Sequence, residues 1–190
     1  MDDKKRCKWC NWKNPKYIEY HDNEWCKINF KDKYLYEMLI LESFQAGLSW
    51  ECVLNKRDNF RKAYDNFDLD KVCSYDNKKI TELLNNKEII RNKLKINASI
   101  NNSRIFKTIV DEYGTFYNYL KSFTRDEIIY ETDKTTNELS DAISSDLQKR
   151  GMKFVGSTII YSYLQAIGII YSHDKECYLF TKKKKCSHKY

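Results

Sequence analysis

Cysteines and histidines, the side chains that most often bind zinc, collect near both ends of this 190-residue chain. A structural zinc site needs four such ligands in a closed tetrahedron. His173 and Cys177 stand four residues apart, a spacing that lets both side chains converge on one ion from a helix or a tight turn. Spacing decides neither the full quartet nor whether a metal binds at all, and the candidate ligands are Cys7, Cys10, His21, Cys26, His173, Cys177, Cys186 and His188.

The carboxylate of Glu42 lies in the middle of the strongly apolar stretch of residues 33–54. A buried ionised carboxylate costs several kcal/mol, roughly, unless a cation or hydrogen-bond donors compensate it. These residues alone favour the ordinary interpretation, in which Glu42 pairs with a Lys or Arg inside a helical core. The alternative is a pocket for a flat, electron-poor molecule, because Trp50 begins the next helix close to the acid.

The elements that must position these groups are helices, since five glycines and a single proline argue against a turn-rich β fold. The stretch around Glu42 predicts a buried helix, a turn at Gly47 and a second helix capped by Ser49. Further helices are expected over residues 55–64, with a basic face that includes Arg57, and over residues 77–84. A longer helix that ends at Gly114 and a short helix over residues 116–123 follow. Two more are expected, one from the cap Ser140 to residue 150 and one over 157–167, which makes the fold all-α.

The charge of the chain favours a polyanionic partner. It has 34 Lys and Arg against 27 Asp and Glu, a formal charge of +7, together with many aromatic residues. Basic residues at the hinge near residues 85–96, beside the free N–H groups of a helix start, suit a phosphate. An ordinary solvated basic face is the alternative for that segment.

We expect one domain over residues 1–180 and a basic, disordered tail over 181–190. No apolar run is long enough for a membrane span and no signal-like segment opens the sequence. The seven cysteines therefore indicate a reducing cytoplasm, without disulfides and without a membrane partner.

Several long motifs in order resemble the DNA-3-methyladenine glycosylase I (Tag) family of bacterial enzymes, over most of the chain from Cys7 to Cys177. The motifs are YIEYHDNEW at 17–25, LESFQAGLSW at 41–50, IIRNKLKI at 89–96, KRGMKFVGSTIIYSYLQAIGII at 149–170 and HDKEC at 173–177. The resemblance implies a helix-hairpin-helix glycosylase fold, with the hairpin near residues 85–100. It also implies one structural zinc per chain, with the ligands Cys7, His21, His173 and Cys177.

The resemblance further implies excision of 3-methyladenine from alkylated double-stranded DNA by a bacterial, cytoplasmic and monomeric enzyme, with free 3-methyladenine as product. Glu42 would then recognise the flipped base within a pocket of Trp9, Tyr17, Tyr20, Leu48 and Trp50. Methylation at N3 makes adenine cationic, so aromatic faces and a carboxylate attract it, and the positive charge makes it a good leaving group.

The resemblance implies a monofunctional hydrolase, because the family lacks the aspartate and the lysine nucleophile found in other members of its superfamily. The glycines usual at the hairpin turn are missing here. Arg91, Lys93 and Lys95 are the candidates for contact with the DNA backbone. Two other classes remain: a non-catalytic module that binds alkylated or distorted DNA, and a zinc-dependent hydrolase acting on a different substrate.

Overall fold

The computed structural model describes residues 3–124 and 126–181, and within them the expectation of a mostly helical fold is confirmed. The expected tail, with Cys186 and His188, lies outside the described residues from residue 182 onward. The ten helices of the described part are α1 Pro15–Asn23, α2 Asp32–Gln45, α3 Trp50–Asn55, α4 Arg57–Ala63, α5 Leu69–Cys73, α6 Asn77–Asn85, α7 Lys93–Tyr113, α8 Phe116–Thr124, α9 Glu138–Lys149 and α10 Ser157–Ala166.

Helix α2 is the centre of the fold. Every residue from Leu35 to Phe44 is buried, and α2 packs against α3, α7, α8 and α10. A helix that is apolar on all sides is stable only when other elements surround it. The broad apolar surface in the sequence therefore predicted the position of α2 correctly, and it places Glu42 in the last turn of a buried helix.

Local capping explains most helix boundaries. The Ser49 hydroxyl accepts a hydrogen bond from the Cys52 N–H, as the sequence predicted, and the Asp76 carboxylate accepts one from the Lys79 N–H. The prediction of Ser140 as a helix cap was wrong. Asn137 caps α9, and Ser140 is the third residue of that helix, where its hydroxyl accepts a hydrogen bond from the Asn137 N–H.

Two short strands join distant parts of the chain. Strand β1, Ile129–Tyr130, pairs in parallel with β2, Ile170–Tyr171. At Gly168 the backbone has φ +83°, and an added Cβ would lie 2.3 Å from the Ile28 nitrogen. This close approach brings the segment after α1 against the end of α10, so both ends of the chain reach the same region.

Residues 85–100, where the resemblance implies a hairpin, contain the end of α6, a connection over residues 86–92 and the start of the 21-residue helix α7. Asn92 caps α7 by accepting a hydrogen bond from the Lys95 N–H, and Gly114 ends it at φ +81°. Among the described residues, no helix has the length and apolarity required to cross a bilayer.

Candidate functional site

Four side chains from the two ends of the chain meet in one buried cluster. The ligand atoms of Cys7, His21, His173 and Cys177 all lie within 4.8 Å of one another. The Cys177 sulfur is 3.5 Å from His21 Nε2 and 3.6 Å from His173 Nδ1, and the Cys7 sulfur is 3.4 Å from His173 Nδ1. Tetrahedral zinc with ordinary Zn–S and Zn–N bonds separates such atoms by about 3.6 Å, so the four residues fit a metal.

Neighbouring groups hold this cluster in place. Asp22 lies 2.7 Å from His21 Nδ1 and accepts a hydrogen bond of 2.6 Å from the Arg6 guanidinium. Burial opposes ionisation of Asp22, but the hydrogen bonds from Arg6 and His21 lower its pKa to about 2. An ionised carboxylate on one ring nitrogen of a histidine leaves the other nitrogen free to bind a metal.

Beside the cluster lies a cavity of about 310 Å³ with aromatic walls. Its lining comes from the N-terminal segment, α1, α2, α3, the connection after β1, α10 and the segment after β2. It includes five of the six residues expected at a base-binding site, Trp9, Tyr17, Tyr20, Glu42 and Trp50. The sixth, Leu48, does not line the cavity; it lies on the α2–α3 connection with 41% of its surface exposed.

Glu42 enters this cavity without a charged partner. Glu42 is 2% exposed, and its Oε2 has no hydrogen-bond partner among the described residues. Burial raises the pKa of Glu42 well above its ordinary value. The internal ion pair that the sequence favoured is therefore absent from the described part of the chain.

Two further polar atoms on the cavity wall are buried without a partner in the described residues, Gln45 Oε1 and Trp50 Nε1. With Glu42 they offer two acceptors and one donor to whatever fills the space. Buried polar atoms normally have partners, so these three leave hydrogen bonds in a single cavity for a polar ligand or for water.

Aromatic contacts connect the metal cluster to the cavity. The Trp9 ring centroid lies 4.6 Å from that of Trp25 and 5.2 Å from that of Tyr17, and the Trp25 ring lies 4.8 Å from that of His173. Residues that bind the metal and residues that line the cavity therefore share one packed wall.

Sequence reasoning missed several cavity residues. Gln45 is detectable in principle, because it stands three residues after Glu42 on the same face of α2. Trp25 lies in the YIEYHDNEW motif but was not assigned to the pocket. The others come from distant segments whose approach no local pattern reveals: Asp133, Lys134, Ser162, Gln165, Ser172 and Asp174.

The three candidates for DNA contact fall into two groups. Arg91 and Lys93 are exposed at the start of α7. Lys95 is only 7% exposed, and its ammonium donates hydrogen bonds to the carbonyls of Phe44 and Ala46. The ammonium of Lys95 is therefore turned into the protein, which corrects its assignment as a phosphate contact.

A second buried acid on α2 has the partners that Glu42 lacks. Glu37 is 6% exposed and accepts hydrogen bonds from Arg57 at 2.6 Å and Arg61 at 2.9 Å. Arg57 also donates to both carboxylate oxygens of Glu24, at 2.8 and 2.7 Å. Arg57 was expected on a basic surface; its guanidinium is instead buried in this ion-pair network.

Comparison with known proteins identifies relatives over most of the chain. A family model described as methyladenine glycosylase matches residues 9–181. DNA-3-methyladenine glycosylase 1 of Escherichia coli (strain K12) is 39% identical over 186 residues, which cover 94% of this chain and 98% of that protein.

Two solved structures have the same fold. A crystal structure of 3-methyladenine DNA glycosylase I (TAG) is 37% identical with a TM-score of 0.89 and covers 93% of this chain and 100% of its own. A structure of 3-methyladenine DNA glycosylase I (TAG) from Staphylococcus aureus, solved to explain 3-methyladenine recognition, is 28% identical with a TM-score of 0.88. The match covers 95% of this chain and 100% of that one.

Proposed function

The chain belongs to the methyladenine glycosylase family, and we propose that it hydrolytically excises 3-methyladenine from alkylated double-stranded DNA. The observation that carries this proposal is Glu42, a buried and unpaired acid in an aromatic cavity of about 310 Å³. Such an acid is costly to the folded protein, and a cationic ligand compensates that cost.

The chemistry of the damaged base matches this cavity. A base methylated at N3 within DNA carries a positive charge and presents N–H donors on its edge. The rings of Trp9, Tyr17, Tyr20 and Trp50 attract the cation through their faces, and Glu42 accepts a charge-assisted hydrogen bond. A neutral adenine gains much less, so the cavity discriminates by charge as well as by shape.

Excision requires that the nucleotide leave the base stack and enter the cavity. We propose that the hairpin formed by α6, residues 86–92 and α7 is the helix-hairpin-helix element that holds the DNA backbone. The exposed side chains of Arg91 and Lys93, beside the N-terminus of α7, are the proposed phosphate contacts. Water then attacks the sugar carbon as the positively charged base departs.

We propose a monofunctional enzyme that leaves the abasic site uncut. A lyase needs an uncharged lysine as its nucleophile. The cavity lysine in the described residues is Lys134, which has a 54% exposed side chain and pairs with Glu131 at 2.8 Å. An exposed, ion-paired ammonium is poorly suited to attack the sugar.

The proposed metal is one zinc ion held by Cys7, His21, His173 and Cys177. Four protein ligands fill a tetrahedron, so the metal would stabilise the junction of the two chain ends and would activate no water. Its thiolate ligands are consistent with a reducing compartment, and we propose a monomer that works in the bacterial cytoplasm.

Identification of the bases released from methylated duplex DNA tests the proposed activity. We expect free 3-methyladenine as a product and an intact strand that breaks only after alkali treatment. A protein that retains methylated DNA and releases no base would be a non-catalytic binding module. Strand cleavage without alkali would contradict the monofunctional mechanism.

The zinc assignment is tested by Cys177→Ser, with Cys73→Ser as the matched control outside the cluster. We expect Cys177→Ser to lose bound zinc and thermal stability together, because metal binding and folding are coupled. Cys73→Ser should keep its zinc. Normal zinc content in Cys177→Ser would reject the quartet, and loss of activity on chelation before any unfolding would favour a zinc-dependent hydrolase.

A further inference from the structure

Lys95 is the third residue of α7, yet its side chain is buried and points toward α2. Its ammonium donates hydrogen bonds of 2.8 Å to the Phe44 carbonyl and 2.5 Å to the Ala46 carbonyl. Lysine is rarely buried without a specific partner, and burial lowers the pKa of Lys95. The two carbonyls belong to the last turn and the C-cap of α2.

The electrostatics of the two helices explain this orientation. A cation in the first turn of α7 is unfavourable for that helix, whose N-terminus carries partial positive charge. The C-terminus of α2 carries partial negative charge, and its last carbonyls have no donors within the helix. The ammonium of Lys95 therefore stabilises the end of α2 and contributes little to its own helix.

The turn that Lys95 holds is the one that carries the proposed base contacts. Glu42 and Gln45 lie in this last turn, and the chain then reverses at Gly47, φ +74°, to reach Trp50. On the other side, Lys93 is two residues from Lys95 and exposed at the proposed DNA surface. The segment of residues 93–95 thus connects the last turn of α2 with the proposed DNA surface.

We propose that Lys95 is a positioning residue that fixes the Glu42 turn of α2 relative to the hairpin. The inference rests on the proposed function. When the hairpin binds the duplex, Lys95 sets the distance between the bound backbone and the cavity that receives the flipped base. It touches neither the base nor the DNA.

The test is Lys95→Met, which keeps the length of the side chain and removes its hydrogen bonds. The matched control is Lys107→Met on the same helix, because Lys107 is exposed and pairs with exposed Asp70. Single-turnover release of 3-methyladenine from methylated duplex DNA at saturating enzyme measures the rate. Affinity for a duplex with a tetrahydrofuran abasic-site analogue measures DNA binding separately.

For Lys95→Met we expect the saturated excision rate to fall about 10- to 100-fold, as for other small misplacements of a binding group, with duplex affinity changed less than about twofold. Lys107→Met should match the wild type in both measurements. Lys93→Met should instead weaken duplex binding in a salt-dependent way. Lys95→Arg, which retains a cation and donors, should recover most of the lost rate.

A folded Lys95→Met protein with the wild-type saturated rate overturns the inference, as does a rate that falls only in proportion to the folded fraction. If the Met variant does not fold, Lys95→Gln takes its place with the same expected split between rate and affinity. Failure of both variants to fold would show a role in folding alone and would also overturn the inference. Absence of 3-methyladenine release by the wild type would instead reject the proposed function.

Discussion

Helix α2 carries two buried acids, five residues apart, in opposite electrostatic situations. Glu37 lies against Arg57 and Arg61, and these partners and Glu24 form one satisfied ion-pair network. Glu42 lies against aromatic rings, and Glu42 Oε2 has no partner among the described residues. Against the effect of burial, Glu37 and Glu24 raise the pKa of Arg57, whereas burial alone raises the pKa of Glu42.

The contrast between Glu37 and Glu42 distinguishes an acid that serves the fold from an acid that is available to a ligand. A buried acid with two arginine partners has its charge compensated within the protein, and its hydrogen bonds join α2 to α4. A buried acid without a partner lowers the stability of the empty protein and retains its full capacity for a cation. The same residue type on one helix thus serves the fold at one position and, as we propose, the substrate at the other.

The largest effect is expected from Glu37→Gln. The change removes the buried negative partner of Arg57 and Arg61, which keep only Glu24 and the exposed Asp58, so the free energy of unfolding should fall by about 3 kcal/mol. Urea denaturation at neutral pH measures it. The control is Asp58→Asn, because Asp58 has a 58% exposed side chain in surface ion pairs, and its loss should cost at most about 1 kcal/mol. Equal losses in the two variants would remove the distinction between buried and exposed acids.

Glu42→Gln should have the opposite effect to Glu37→Gln, because it should lower activity without lowering stability. Loss of a charge-assisted hydrogen bond to the cationic base should lower excision of 3-methyladenine about 10- to 100-fold. The free energy of unfolding should stay the same or rise, because an unpaired carboxyl leaves the core. Base release and urea denaturation measure the two quantities, and binding of undamaged DNA should be nearly unchanged. Equal excision by the two proteins would exclude Glu42 from the mechanism.

A smaller and more specific effect concerns pH. The pKa of Glu42 is raised on folding, so between its ordinary and its raised pKa the folded state binds more protons than the unfolded state. The stability that the neutral carboxyl contributes is complete at low pH and is lost as the pH rises through the raised pKa. The wild type should therefore lose stability relative to Glu42→Gln as pH rises, by at most about 1.4 kcal/mol per pH unit.

Denaturation of the wild type and Glu42→Gln over a pH series measures this difference directly, because glutamine does not titrate. All other titrating groups are shared by the two proteins and cancel. A difference that is constant over the series would show that Glu42 ionises in the empty cavity as it does in the unfolded chain.

The sequence by itself determined most of the helices and several of their ends. Helix periodicity, the caps Ser49 and Asp76 and the terminator Gly114 all depend on interactions within a few residues, and the sequence shows those directly. Helix α1 was not predicted, although Asn14 and Pro15 mark its start. The residue types of the metal cluster were also visible, but the quartet depended on family resemblance.

Only the tertiary structure decided which charges found partners. The sequence does not show which of Glu37, Glu42, Arg57 and Lys95 will find a partner. Three of them have partners on elements 20 to 51 residues away. Pairing at that distance is set by how whole helices pack, and neighbouring residues do not encode it. The packing of α2 against α4 and α7 gave Glu37 and Lys95 their partners, and the same packing left Glu42 facing an aromatic cavity.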